Sequence, residues 1–185
     1  MVFEDRMTGA LAQLDSSQSR LLLGELAASC PSRWCRVNAI RALGQVNDRQ
    51  VLNVLFTLLD AVYYGPLLFR MEVYSAIGSL GGVEVIPFLL SELNQSRMEA
   101  AQGLANTASA DVIPFLMDTL DRLKSSFAES AISSALTQLT HRRLANAADL
   151  TPAETKERWL AWWEQTEHPV PVYGPLDCGP TEILD

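Results

Sequence analysis

Val85-Ile86-Pro87-Phe88-Leu89-Leu90-Ser91-Glu92-Leu93 returns 27 residues later as Val112-Ile113-Pro114-Phe115-Leu116-Met117-Asp118-Thr119-Leu120. Arg70-Met71-Glu72 returns as Arg97-Met98-Glu99 at the same offset. A weaker copy lies 34 residues upstream, where Ala42-Leu43-Gly44 precedes Ala76-Ile77-Gly78 and Arg36 precedes Arg70. A period of this length means one supersecondary unit stacked on itself, with the core made between neighbours.

Inside each unit the apolar residues recur at helical spacing. Val37, Ile40 and Leu43 form one stripe; Val51, Leu52, Leu55, Leu58 and Leu59 form the next. Gly44 to Asp48 breaks the two, glycine suiting a helix end and Asn47 or Asp48 a helix start. The pattern repeats as Val73–Leu80 with Val85–Leu93, and as Ala100–Leu104 with Val112–Leu120. Pro87 and Pro114 fall in a first helical turn, where the missing N–H costs nothing. A further pair runs from Ala128 to Leu139 and from Thr151 to Glu167, the latter opened by the capping-box sequence Thr151-Pro152-Ala153-Glu154. Phe3–Leu14 and Ser17–Ala28 make an opening pair. The expected fold is all-α, a right-handed α-α superhelix of about five helix pairs with essentially no strand. It occupies residues 1–167 as one domain, with clear repeats over 33–140, a cap over 141–167 and an extended proline-rich tail over 168–185.

The unit resembles the HEAT repeat, and its 27-residue form is similar to the short HEAT-like repeat of phycobilisome lyases and other bacterial proteins. The resemblance rests on Arg36-Val37-Asn38-Ala39-Ile40-Arg41-Ala42-Leu43-Gly44 and the two Val-Ile-Pro-Phe-Leu copies. Leu139-Thr140 followed by Trp159-Leu160-Ala161-Trp162-Trp163 is similar to a closing segment of such proteins, with His141 standing where the family usually has glycine. The resemblance implies a scaffold fold rather than a particular activity.

Composition narrows the function. The chain has 185 residues, 48% of them hydrophobic and 19% charged, which suits one continuous core and little disorder. No run approaches the ~20 apolar residues of a membrane-spanning helix. The start, Met1-Val2-Phe3-Glu4-Asp5, lacks the cationic segment of a secretion signal. Cys30, Cys35 and Cys178 are read as reduced thiols of a cytoplasmic protein, a Cys30–Cys35 bridge being the alternative. The net charge is −8. Residues 1–97 hold eight Arg and nine acids, and residues 98–185 hold six basic residues and thirteen acids, so the halves carry −1 and −7. That balance disfavours nucleic acid.

No catalytic set is visible, no cofactor is expected, and the chain is read as a non-enzyme. Cys30, Cys35 and His141 lack zinc-ligand spacing. Gly81 and Gly82 sit between helices rather than after a strand, which does not suit a phosphate loop. Trp159, Trp162 and Trp163 share one helix face and suit a cap over the last repeat. Arg36, Arg70 and Arg97 are in register, read as pairing to the turn below or to Glu72 and Glu99.

The candidate binding residues follow from the repeat. Thr57, Ser91 and Asp118 are equivalent, as are Asp60, Asn94 and Asp121, so each set should ladder along a concave face. These ladders suit a cationic or polar peptide, unless they form an ordinary solvated surface. The seven residues that separate the two periods map to Ala61–Leu67, and Tyr63 and Tyr64 there are interface-type aromatics or tuck under the next repeat. The resulting expectation is a protein–protein interaction scaffold binding a protein or peptide, with no nucleic acid and no membrane, and with a possible homodimer through the tail. The alternatives are a bilin lyase-like chaperone for chromophore attachment, implied by the resemblance, and a HEAT-like DNA glycosylase. The stretch Val170–Leu176 is expected to pack near the tryptophan face.

Overall fold

Helix follows helix wherever the 3.6-residue pattern is strong. The computed structural model describes residues 16–46, 48–62, 65–94, 98–122, 126–144, 149–166 and 182–184. Two compact units divide the chain, Met1–Gly81 and Gly82–Asp185.

In the first unit, α1 (Ser17–Ser29), α2 (Arg33–Gln45), α3 (Val51–Val62) and α4 (Leu67–Gly81) form the stack. Ser16 caps α1 through a reciprocal box with Ser19, and the Ser32 hydroxyl accepts the Cys35 amide at the start of α2. Sequential helices pack as α1 on α2 and α3 on α4, while α2 also packs on α4 and α1 on α3. This two-step stacking is what a repeated helix pair must do to bury its apolar stripe. Leu23, Val37, Ile40, Leu43, Leu55, Val73, Tyr74 and Ile77 are wholly or almost wholly buried there.

The second unit begins with a short 3₁₀ turn over Gly82–Val85 and continues through α5 (Ile86–Asn94) and α6 (Glu99–Asn106). After a second 3₁₀ turn, Ala110–Val112, come α7 (Ile113–Arg122), α8 (Ser126–Thr140), β1 (Arg142–Leu144), α9 (Pro152–Gln165) and β2 (Glu182–Leu184). Here α6 stacks on α8 and α7 on α9, repeating the two-step pattern of the first unit. Pro87 and Pro114 each occupy the second position of their helix, as their missing N–H requires. The box at Thr151 and Glu154 closes as read from the sequence.

Several expectations need correction. Cys30 and Cys35 are joined in a disulfide rather than held as two thiols. The bend at Pro31 sets the end of α1 beside the start of α2, with the two Cα atoms 6.2 Å apart, a separation a disulfide spans. The described residues hold essentially no strand, as expected, beyond one short parallel pair of β1 and β2 with Arg143 opposite Ile183. The extra residues of the longer repeat do not all lie in a loop. Ala61 and Val62 complete α3 and Leu67 opens α4, which runs 15 residues against 8 for α6. By length and composition alone, Leu67–Leu93 would suffice to cross a membrane, contrary to the sequence reading. In the structure that stretch is α4 and α5 separated by a 3₁₀ turn, where Gly82 takes a φ of +54°. Tyr63, Tyr64, Arg97, Asn47, the Phe3–Leu14 helix and Val170–Leu176 lie outside the described residues.

Candidate functional site

The second Val-Ile-Pro-Phe-Leu copy builds the most suggestive surface of the C-terminal unit. In α7, Ile113, Leu116, Met117 and Leu120 face the core at spacings of three and four. Phe115 falls off that stripe and is 51% exposed. Beside it, Leu90 of α5 and Asp118, Thr119 and Arg122 of α7 line a depression of about 550 Å³. Arg122 bridges Asp118 at 2.8 Å across one helical turn, and both side chains are well exposed. An exposed pair of this kind adds little stability, so its carboxylate and guanidinium remain open to exchange for a partner's groups.

The residues expected to form ladders divide between the two units. Thr57 and Asp60 lie exposed on α3, and the Thr57 hydroxyl turns back to donate to the Asn53 carbonyl at 2.9 Å. Ser91 is exposed on α5, and Asn94 is the last residue of that helix. Asp118 and Asp121 are exposed on α7. Among those whose side chains the structure describes, Asp118 alone lines the depression with Leu90 and Phe115. Nor is α7 simply acidic: Asp118 meets Arg122, and Asp121 meets Lys156 of α9 at 3.3 Å. The sequence pattern missed these partners because Lys156 is 35 residues away from Asp121.

Two of the registered arginines, Arg36 and Arg70, act structurally. Arg36 donates through Nε to the Ala27 carbonyl at 3.0 Å and lies over the Phe69 ring, 4.3 Å from its centroid. Arg70 donates to the Gly65 carbonyl at 2.6 Å. Arg36 thus satisfies a carbonyl in the last turn of α1, where intrahelical partners run out, and Arg70 one in the turn before α4. Glu72 is bridged by Arg41, whose Nε donates at 2.8 Å.

Trp159 is fully buried, its Nε1–H donating to Ser133 Oγ at 2.8 Å, and it meets Trp162 edge-on at 5.4 Å between centroids. Trp162 and Trp163 are half-buried, with Arg142 over the Trp162 ring. Between α6 and α8, Gln102, Asn106 and Gln138 close a triangle of amide hydrogen bonds at 2.5, 3.2 and 2.6 Å. No sequence signal marked it, because its members are 32 to 36 residues apart except within α6.

Residues 20–97 match the family model for HEAT repeats. That segment carries HEAT repeats. The match starts in α1 and ends before the second Val-Ile-Pro copy, so it begins earlier and stops sooner than the 33–140 span suggested by the sequence resemblance. Beyond its end, α6 to α8 continue the same helix-pair packing. HEAT repeats as a class mediate protein–protein contacts. No curated protein and no solved structure matches the chain.

Proposed function

We propose that this chain, with HEAT repeats over residues 20–97, is a non-enzymatic scaffold that binds a protein or peptide, and that the α5–α7 depression is one of its contact sites. The observation that supports this most is Phe115, a large aromatic standing half in water at the lip of a depression with Leu90 behind it. Burying such a ring in a partner is the commonest way an interface gains its central energy. Asp118 and Arg122 supply the polar rim around it, as interfaces of this kind require. The acidic balance of residues 98–185 favours a partner segment that is polar or cationic. Thr57, Asp60, Ser91, Asn94 and Asp121 are further contact candidates, and Tyr63 with Tyr64 would add a second aromatic anchor.

The test is enrichment of partners from the native cell by the wild-type chain, quantified against Phe115→Ala and a Tyr63→Ala, Tyr64→Ala variant. A stoichiometric protein lost with Phe115→Ala, at a cost of about 2 kcal/mol in its affinity, supports the depression. Equal retention by all three chains removes both sites from the interface.

A further inference from the structure

A second cavity of the C-terminal unit has a chemistry that scaffolding does not explain. It lies among α8, β1 and α9, holds about 370 Å³, and lies apart from the α5–α7 depression. Its lining includes Glu129, the hydroxyls of Ser130, Ser134 and Thr137, and the apolar side chains Leu144 and Leu150. That volume falls in the range of small-molecule pockets, roughly 300–1,000 Å³.

Glu129 is the informative residue. It is only 7% exposed, yet it lines this cavity, and among the described residues nothing donates to its carboxylate. The residue is buried while its carboxylate oxygens stay open to the cavity, where they can take a donor or a positive charge. The hydroxyls of Ser130, the next residue, and of Ser134 and Thr137, at one-turn spacings after it along α8, also line the cavity and can accept hydrogen bonds.

We propose that this cavity binds a primary alkylammonium group, its nitrogen on Glu129 and the α8 hydroxyls and its methylenes against Leu144 and Leu150. Three N–H donors match one carboxylate flanked by neutral oxygens. A metal ion fits poorly, because no group of three His, Cys, Asp or Glu side chains occurs among the described residues. An anion fits poorly as well. The other charged group of the lining, Arg143, is exposed, and a solvent-screened charge attracts less than a desolvated one. The same alkylammonium chemistry belongs to a free diamine and to a lysine side chain of another protein. The inference does not depend on the reading of the α5–α7 depression.

The full-length chain is titrated with n-butylammonium and, separately, with n-butanol, following backbone amide chemical shifts. Saturable binding of n-butylammonium, with shifts centred on α8 and α9, is expected, along with at least tenfold weaker binding of n-butanol. Glu129→Gln keeps the side-chain shape and should weaken n-butylammonium at least tenfold, and Thr137→Val several-fold, while Glu84→Gln, at an exposed residue of the 3₁₀ turn before α5, leaves it unchanged. Capped lysine and 1,4-diaminobutane then separate the sources: whichever binds tighter names the natural ligand type, and binding by neither overturns the proposal. Equal binding of the amine and the alcohol overturns it as well. So does n-butylammonium binding that survives both Glu129→Gln and Thr137→Val, each shown folded by circular dichroism.

Discussion

Gly44 shows how closely one residue controls the packing of a repeat. A Cβ built there would stand 2.9 Å from both Cα and Cβ of Ala76. Those neighbours belong to the backbone and the shortest side chain of α4, so neither can rotate away. The recurring Ala-Leu-Gly and Ala-Ile-Gly triplets therefore mark a point of close approach between α2 and α4. Gly44→Ala should improve local helix propensity yet destabilise the chain by roughly 1–3 kcal/mol, because overpacking outweighs propensity. Chemical denaturation of the variant checks this, and a midpoint at or above wild type would contradict the close contact. His141 is a residue-scale case of another kind. It holds a φ of +50°, the left-handed region that glycine enters freely. The glycine usual in related closing segments fits that backbone, and the departure read from sequence is one of side chain, not of conformation.

At the scale of the element, α9 is held at its start by the Thr151–Glu154 box. The Thr151 hydroxyl donates to Glu154 Oε2 at 2.6 Å and the Thr151 amide at 2.8 Å. These bonds, the side-chain one first, lower the pKa of Glu154, while its exposure leaves burial little to oppose them. The folded-state pKa lies below the unfolded one, so the box contributes its stability above the ordinary carboxylate range. That contribution fades as pH falls through the lowered folded value. Thermal melts of wild type and Glu154→Gln should accordingly differ near neutral pH and converge in acid. A difference that persists unchanged into acid would show that ionisation of Glu154 is irrelevant to the cap. The disulfide is also an element-scale device. It ties the α1–α2 bend across a separation of five residues, complementing the Arg36 bond to Ala27 in the same corner.

Over the whole molecule, both units repeat one packing scheme, with first helices on first helices and second on second. The C-terminal unit ends differently, through Trp159 under Ser133 and a parallel strand pair that returns Glu182–Leu184 to Arg142–Leu144. A tail rich in proline cannot continue the helices, and β1 offers it an edge to pair with. A chain ending at Thr166 loses β2 and should melt several degrees lower, the loss falling on the C-terminal unit. Hydrogen exchange would locate it at Arg142–Leu144. Unaltered melting and exchange would make the strand pair incidental to stability.

The repeat was legible in the sequence because a helix pair buries its stripe through local periodicity. Spacings of three and four residues, prolines at helix starts and the Thr151 box are all encoded within about a turn of the chain. Those features determined the all-α class, the positions of α2 to α9 and the burial of Trp159. Site chemistry was much less legible, since it depends on residues brought together from distant positions. Asp118 was named from its register, while Phe115 lay outside the apolar stripe and Leu90 within it, and only packing set the two beside one depression. No sequence pattern singles out Glu129, because its place in the cavity depends on α8, β1 and α9 coming together. Cys30 and Cys35 were ambiguous by spacing alone, and the bend at Pro31 decided their pairing by bringing their backbones within bonding reach. Periodicity is a property of neighbours in the chain, whereas burial and partnership of a polar group are properties of neighbours in space.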